Sequence, residues 1–226
     1  MRPEDAVAPR FVAWPGLALL YCNKAGSQSA KSLGGQRPSV DPPTKESFHQ
    51  EMEKYRIRAL FLRNPVNRIV SAYTYAVTLQ QRWIHDNVLC PLSTPMRKYL
   101  GQRTNFPFEE FVFTAIEQFP TDKHIAPQSG THYGVENFVW PLEDSARGWG
   151  KLRDIVPDLP PALPTINRSD PTPVVITPDA EQLIRDFYAE DIEWYIDVCS
   201  QAKFCAPRSA ASYLQSPSPV QSCGVR

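Results

Sequence analysis

The sequence predicts a single α/β domain with a mainly parallel central sheet flanked by helices. Short apolar runs alternate with helical patterns along the chain, and the first run ends in small polar residues that open a helix. The 226 residues, of which 42% are hydrophobic and 21% charged, are enough for one sizeable core. We expect a flexible N-terminus at residues 1–10, the domain at residues 11–198 and a disordered, Ser/Pro-rich tail at residues 199–226.

Three apolar segments predict the strands. Leu17–Cys22 (LALLYC) and Ile57–Arg63 (IRALFLR) are continuous runs, which is typical of parallel strands that are buried on both faces. Asn137–Leu142 predicts a third, shorter strand.

Helical patterns lie between and after these strands. Asn64 is an N-cap residue followed by proline at the first helical position, and apolar residues then recur at helical spacing as far as Trp83. One long final helix is predicted from Pro178 to about Val198. Shorter helices are predicted at Ser27–Leu33, Glu46–Tyr55, Phe108–Phe119 and Ala146–Val156.

Composition excludes several classes of protein. The 24 basic and 24 acidic residues balance, whereas nucleic-acid binders usually carry a basic excess. Five scattered cysteines without a CxxC pair argue against a zinc site or a disulfide framework, although Cys199 and Cys205 can pair in an oxidising compartment. The apolar run at residues 11–22 is too short to span a bilayer. We expect a cytoplasmic protein, or a catalytic domain whose anchor lies outside this sequence.

The first candidate anion site is the turn after the first predicted strand, residues 23–29. Its small residues allow a ligand to approach the backbone, and amides at a helix N-terminus point at an anion. Lys24 adds a positive charge, and Ser27 and Ser29 add hydroxyl donors. The lysine precedes the glycine, so this is not a Walker A motif. An ordinary turn with an exposed lysine explains the segment equally well.

The second candidate anion site follows the second predicted strand. Arg63 ends that strand, and Ser71 lies two helical turns further on, so a guanidinium and a hydroxyl can hold one phosphate. Alternatively, Arg63 caps a carboxylate and Ser71 is a small residue at a helix contact. Parallel strands end at one edge of a sheet, where open α/β sheets bind ligands. Two phosphate sites at that edge favour a nucleotide that is phosphorylated at two separate positions.

These segments resemble the sulfotransferases that use 3'-phosphoadenosine-5'-phosphosulfate (PAPS), in particular the carbohydrate sulfotransferase branch. YCNKAGSQS (21–29) is similar to the family's 5'-phosphosulfate loop, with Asn23 in place of the usual proline. FLRNPVNRIVSAY (61–73) fills every fixed position of the 3'-phosphate signature, Arg-[Asp/Asn]-Pro-x-x-Arg-x-x-Ser-x-[Tyr/Phe]. The resemblance implies a P-loop-like fold.

Further matches follow in the family's order, so that the resemblance covers roughly residues 17–195. Ile125 replaces the family's usual tryptophan, and the short stretch at 34–44 has no counterpart of a histidine-bearing acceptor segment. The matched segments are Phe108–Phe111, His124–Gln128, Phe138–Leu152, Leu163–Ser169 and Phe187–Asp191.

The resemblance implies in-line transfer of a sulfuryl group from PAPS to a hydroxyl or amine, without a metal, which leaves 3'-phosphoadenosine 5'-phosphate (PAP). Lys24, His124 and His49 are the catalytic candidates, with Glu143 as a further candidate base. A buried structural histidine bonded to the backbone is an equal interpretation of His124, and a salt bridge is the better one of Glu143. His85 and His132 lie in segments expected to be irregular. The cofactor-binding candidates are Lys24, Ala25, Gly26, Ser27, Gln28, Ser29, Arg63, Ser71 and Arg168.

Other functions remain open at this stage. A catalytically inactive, sulfotransferase-like nucleotide-binding protein fits the altered loop and the uncertain base. A P-loop nucleotide kinase fits less well, because its Walker A lysine and metal-binding aspartate are not evident. A purely structural module leaves the paired anion sites unexplained. We expect a small-molecule or carbohydrate acceptor, read by the loops at 34–44, 84–105 and 120–135, and no nucleic acid or membrane segment; the sequence does not determine the oligomeric state.

Overall fold

The computed structural model describes residues 10–21, 27–33, 35, 44–86, 96, 107–131, 134–164 and 174–201. The strands are β1 (Arg10–Trp14), β2 (Leu17–Tyr21), β3 (Ile57–Leu62) and β4 (Phe138–Pro141). The helices are α1 (Ser27–Ser32), α2 (Lys45–Met52), α3 (Pro65–Asp86), α4 (Phe108–Gln118), α5 (Ser145–Ile155), α6 (Pro178–Phe187) and α7 (Ala189–Gln201). Short 3-10 turns lie at Ser129–Thr131 and Leu142–Asp144. None of the helices in these ranges is both long and apolar enough to cross a membrane.

The strands of the described residues form one sheet in the order β1-β2-β3-β4. The β2/β3 and β3/β4 pairs are parallel, and β1/β2 is antiparallel. The prediction of a single α/β domain with a mainly parallel sheet is therefore confirmed. Because β2, β3 and β4 run in the same direction, their last residues, Tyr21, Leu62 and Pro141, lie along one side of the sheet. We call this side the carboxyl edge.

Strand β1 was not predicted, because the run at residues 11–22 was assigned to a strand only from Leu17. The structure folds this run into a hairpin in which Trp14 is opposite Leu17 and only Pro15 and Gly16 connect the strands. Gly16 has a φ of 74°, a left-handed conformation that glycine adopts without strain. Proline followed by a positive-φ glycine is the signature of a type II turn, and this signal was present in the sequence.

Both faces of the sheet are covered, which explains why the β3 sequence is apolar without alternation. On one face, Ala59 and Phe61 of β3 pack with Trp149 and Leu152 of α5. On the other face, Leu60 packs in a cluster with Phe48 of α2, and Leu62 packs with residues of α7. A strand buried on both faces needs an apolar side chain at nearly every position.

A separate cluster of buried residues, distinct from those that cover the sheet, joins α3, α4 and α6. Ile69 and Tyr73 of α3 pack with Phe108 and Phe111 of α4, and Ile184 of α6 belongs to the same cluster. The Tyr73 ring meets the two phenylalanine rings edge-on, with centroids 5.3 and 5.5 Å away. These contacts fix the direction in which α3 leaves the carboxyl edge.

The prediction of one final helix is wrong, because the chain breaks at Tyr188 into α6 and α7. The Tyr188 ring is buried, and its hydroxyl donates to the Ile125 carbonyl at 2.6 Å. The break also brings the buried carboxylate of Asp191, in the first turn of α7, to the backbone at Gln128. No glycine or proline marks the break in the sequence, so tertiary contacts decide it.

Candidate functional site

The carboxyl edge is where the two strands that precede the predicted anion sites end. Leu20 of β2 is level with Leu60 of β3, so Tyr21, the last residue of β2, and Arg63, the first residue after β3, lie at the same side of the sheet. The predicted convergence of the strand ends is confirmed. Lys24, Ala25, Gly26 and Arg168 lie outside the described residues. Ser27, Gln28 and Ser29 form the first turn of α1.

Asn64 caps α3 with its side chain. Its Oδ1 atom accepts from the backbone N–H groups of Val66 at 3.0 Å and Asn67 at 3.2 Å, and its carbonyl accepts from the N–H of Arg68 at 2.9 Å. The predicted N-cap is confirmed. Because Asn64 already satisfies these amides, an anion beside Arg63 has to be bound by side chains rather than by the first turn of α3.

Arg63 is half-buried directly after β3, and Gln128 binds its backbone on both sides. The Arg63 N–H donates to Gln128 Oε1 at 3.1 Å, and Gln128 Nε2 donates to the Arg63 carbonyl at 2.8 Å. Gln128 itself is 0% exposed. Its side-chain amide therefore replaces one residue of a neighbouring strand.

Asp191 holds the segment that carries Gln128. Its Oδ2 accepts from the Gln128 N–H and its Oδ1 from the Ser129 N–H, both at 2.7 Å. The carboxylate is 0% exposed, and hydrogen bonds to an ionised acceptor are stronger than neutral ones. Gln128 and Asp191 lie within segments that match the family, but no sequence pattern indicated a role for either residue.

Glu143, just after β4, connects three elements at the carboxyl edge. Its Oε1 accepts from the Asn64 N–H and from Asn67 Nδ2, both at 3.1 Å, and its Oε2 accepts from the Tyr195 hydroxyl at 3.2 Å. Burial, with Glu143 nearby, raises the pKa of Tyr195, so this hydroxyl stays protonated and donates. The hydrogen bonds described for Glu143 come from uncharged donors rather than from the expected salt bridge.

Ser71 lies on the half-buried face of α3. It is four residues after Asn67, so the two side chains are neighbours on the helix surface, whereas Ile69 and Ala76 on the opposite face are in the core. Arg63 at the edge and Ser71 along α3 are thus both partly accessible to a ligand.

The other fixed residue types of the matched signature serve the fold. Arg68 is fully buried, and its Nη1 donates to the Ile125 carbonyl at 3.1 Å, the same oxygen that Tyr188 binds. Tyr73 is in the α3–α4 cluster. The signature therefore combines partly accessible positions, Arg63 and Ser71, with structural ones.

His124 is 5% exposed and is paired with a carboxylate. Its Nδ1 lies 3.0 Å from Asp122 Oδ1, which also accepts the His124 backbone N–H at 2.8 Å. Its ring centroid is 5.6 Å from that of Tyr75, which is four residues beyond Ser71 on α3. The side-chain partner described for His124 is thus a carboxylate, and the ring is buried, as either interpretation of this histidine allows.

The remaining histidines are spread along the chain. His49 is half-buried in α2, which packs on the sheet through Phe48 and Met52. His85 lies in the last turn of α3, which continues to Asp86, so its expected placement in an irregular segment is wrong. His132 lies outside the described residues.

Comparison with known proteins identifies the family of this chain. A family model described as the sulfotransferase family matches residues 20–155, which is more than half of the 226-residue chain. The matched range runs from the end of β2 through α5 and includes Arg63, Ser71, Gln128 and Glu143. No curated protein and no solved structure shows a significant match. The chain belongs to the sulfotransferase family.

Proposed function

We propose that the protein transfers the sulfuryl group of PAPS to a hydroxyl or amine of a small-molecule or carbohydrate acceptor and releases PAP. Membership of the family supports sulfuryl transfer in general. The observation that carries the choice of donor is the carboxyl edge, along which both the end of β2 and Arg63, directly after β3, lie. Each strand leads into a segment suited to one phosphate, and PAPS is phosphorylated at two separate positions.

The donor groups at Arg63 fit the 3'-phosphate of this nucleotide. Arg63 is half-buried as a residue, and a guanidinium carries several N–H donors in a fixed geometry that matches a phosphate, while the Ser71 hydroxyl lies on the partly accessible face of α3. Asn64 Nδ2, next to Arg63 in the chain, is buried and has no hydrogen-bond partner among the described residues. An oxygen acceptor supplied by a ligand would satisfy this donor.

Two groups of residues have different proposed roles in the reaction. When bound, PAPS supplies the sulfuryl group and a phosphate leaving group. Lys24 and the amides of residues 25–29 are assigned to the leaving-group side, where negative charge grows; losing one such donor costs about 10²–10³ in rate in other enzymes. Arg63 and Ser71 fix the other phosphate and thereby hold the reacting groups in line.

We propose that His124, rather than His49, is the general base that removes the proton from the acceptor hydroxyl or amine. An ionised carboxylate can only accept, so Asp122 favours a proton on His124 Nδ1 and thereby fixes the tautomer and the orientation of the ring. Orientation by a carboxylate is the arrangement that general bases use. His124→Gln should lower kcat by about 10²–10⁴ with little change in PAP affinity. Unchanged kcat in the folded variant would assign His124 to the core instead.

The burial of His124 also favours one second candidate, a sulfotransferase-like protein that binds the nucleotide without turnover. The ring is 5% exposed, so an acceptor reaches it only if neighbouring residues move. Tight PAP binding without transfer to any acceptor of a hydroxyl and amine panel would identify this candidate.

Substitutions in the second anion site test the proposal. Arg63→Ala should weaken PAP binding about 10- to 150-fold, because hydrogen bonds to charged groups contribute about 1.5–3 kcal/mol, and Ser71→Ala should weaken it less. Calorimetric titration gives both dissociation constants. Arg185→Ala is the matched control, since Arg185 pairs with Glu181 on α6. A folded Arg63→Ala protein with wild-type PAP affinity would overturn the assignment.

A further inference from the structure

The end of β3 is closed by a side chain instead of a strand. β4 pairs with β3 only as far as Pro141 opposite Leu62, and proline has no N–H group with which to continue the ladder. One residue further on, Gln128 supplies the missing partners through the two hydrogen bonds to the Arg63 backbone. The backbone of Arg63 is thus fixed on both its donor and its acceptor side.

The position of Gln128 is itself fixed from a distant part of the chain. Asp191 accepts from the backbone of Gln128 and of Ser129, and both Asp191 and Gln128 are fully buried. Ser129 Oγ makes a further hydrogen bond to Glu190 at 3.3 Å. The first turn of α7 therefore sets where the Gln128 amide meets Arg63.

We propose that Gln128, fixed by Asp191, is a positioning residue that aims the Arg63 side chain and so sets the preference for a nucleotide with a 3'-phosphate. This inference rests on the proposed function. A rotation of the Arg63 backbone changes the direction of its Cα–Cβ bond, and the long side chain converts that change into a displacement of the guanidinium. Misplacement by about 1 Å can cost about 10²-fold where geometry matters.

The opposite end of β3 offers a matched control. Asn137 Oδ1 accepts from the Arg58 N–H at 2.8 Å, and Asn137 Nδ2 donates to the Arg56 carbonyl at 2.9 Å. A side-chain amide thus binds the strand backbone at both ends of β3. If Gln128 acted only by stabilising the strand, loss of either amide would affect nucleotide binding in the same general way.

The test compares two nucleotides that differ only in the 3'-phosphate. We would titrate PAP and adenosine 5'-phosphate into the wild type, Gln128→Met, Asp191→Asn and Asn137→Leu, and record the ratio of the two dissociation constants. The proposal predicts a ratio that is about tenfold lower in Gln128→Met and about threefold lower in Asp191→Asn, with affinity for adenosine 5'-phosphate nearly unchanged. The ratio in Asn137→Leu should equal that of the wild type.

The sign of the Asp191→Asn effect excludes a through-space explanation. Removing the negative charge of Asp191 should by itself strengthen the binding of the 3'-phosphate and raise the preference for PAP. A lower preference for PAP in Asp191→Asn would therefore reflect altered positioning of Arg63. Circular dichroism would first establish that each variant is folded at the titration temperature.

Three outcomes would count against the proposal. An unchanged ratio in folded Gln128→Met overturns it, as does an equal fall in Asn137→Leu. If Gln128→Met does not fold, an unchanged ratio in Asp191→Asn overturns it in the same way. A ratio near one in the wild type would have a different meaning, because it would contradict the existence of a 3'-phosphate site and thus the proposed function itself.

Discussion

Glu143 offers a sharp test, because a catalytic base and a structural residue respond differently to Glu143→Gln. The glutamine oxygen can still accept from the Asn64 N–H and from Asn67 Nδ2, and its NH₂ group can donate to the Tyr195 hydroxyl oxygen. The hydrogen bonds are thus kept, but the basic carboxylate is lost. We expect kcat within about threefold of the wild type, whereas loss of a general base would cost about 10²–10⁴.

The size of the structural effect follows from the number of hydrogen bonds. Glu143→Leu removes three, and at about 1 kcal/mol each the free energy of unfolding should fall by about 3 kcal/mol. For a domain of this size, about 2–4 °C per kcal/mol gives a decrease in Tm of about 6–12 °C. Glu143→Gln should lose less than about 1 kcal/mol, and Tyr195→Phe, which removes one of the three bonds, about 1 kcal/mol.

The assay combines thermal unfolding with turnover of PAPS and any acceptor that supports it. A Glu143→Gln protein with an unchanged Tm and a kcat at least about 100-fold lower would refute the structural role and identify Glu143 as a catalytic group.

Three further predictions address the packing, the pH dependence and the first anion site. Gly148→Ala should destabilise the protein by about 1–3 kcal/mol, because an added Cβ would overlap the Trp140 ring. Gly150→Ala on the same helix meets nothing within 4 Å and should stabilise it by about 0.5–1 kcal/mol, and thermal unfolding measures both changes. Burial raises the pKa of Tyr188, so the contribution of its protonated hydroxyl to stability is complete below about pH 10 and is lost as the pH rises further. The free energy of unfolding should therefore decline less steeply between pH 9 and pH 11 in Tyr188→Phe than in the wild type. Equal slopes in the two proteins would contradict this prediction. Lys24→Ala should lower kcat more than it lowers PAPS affinity, and a kcat within about threefold of the wild type would remove Lys24 from the reacting centre.

The parts of the fold that were predictable are those with local signals. The three predicted strands were confirmed because burial on both faces produces continuous apolar runs, as in Ile57–Leu62. The start of α3 was predictable because Asn64 and Pro65 are chemically suited to a helix N-terminus. The β1 hairpin was missed although Pro15 and Gly16 signalled it.

The contacts that organise the site were not predictable, because they join distant segments. Gln128 is 65 residues from Arg63, and Asp191 is 63 residues from Gln128. The break at Tyr188 depends on its contact with the Ile125 carbonyl, again 63 residues away. The spacing of apolar residues predicts whether a segment is a helix or a strand, but it does not predict which polar side chain will hydrogen-bond to the backbone at the end of that strand. The strand pattern placed Arg63 correctly at the edge of the sheet, but neither this pattern nor the family signature indicated that Gln128 fixes its backbone.

The most direct test of the proposed two-phosphate site is the stabilisation of the wild-type protein by PAP compared with ATP. At a concentration of about 100 times its dissociation constant, PAP should raise the free energy of unfolding by about 2.7 kcal/mol. ATP, which carries its phosphates at one position only, should raise Tm less at the same concentration. Equal stabilisation by the two nucleotides would contradict a separate 3'-phosphate site at Arg63 and Ser71.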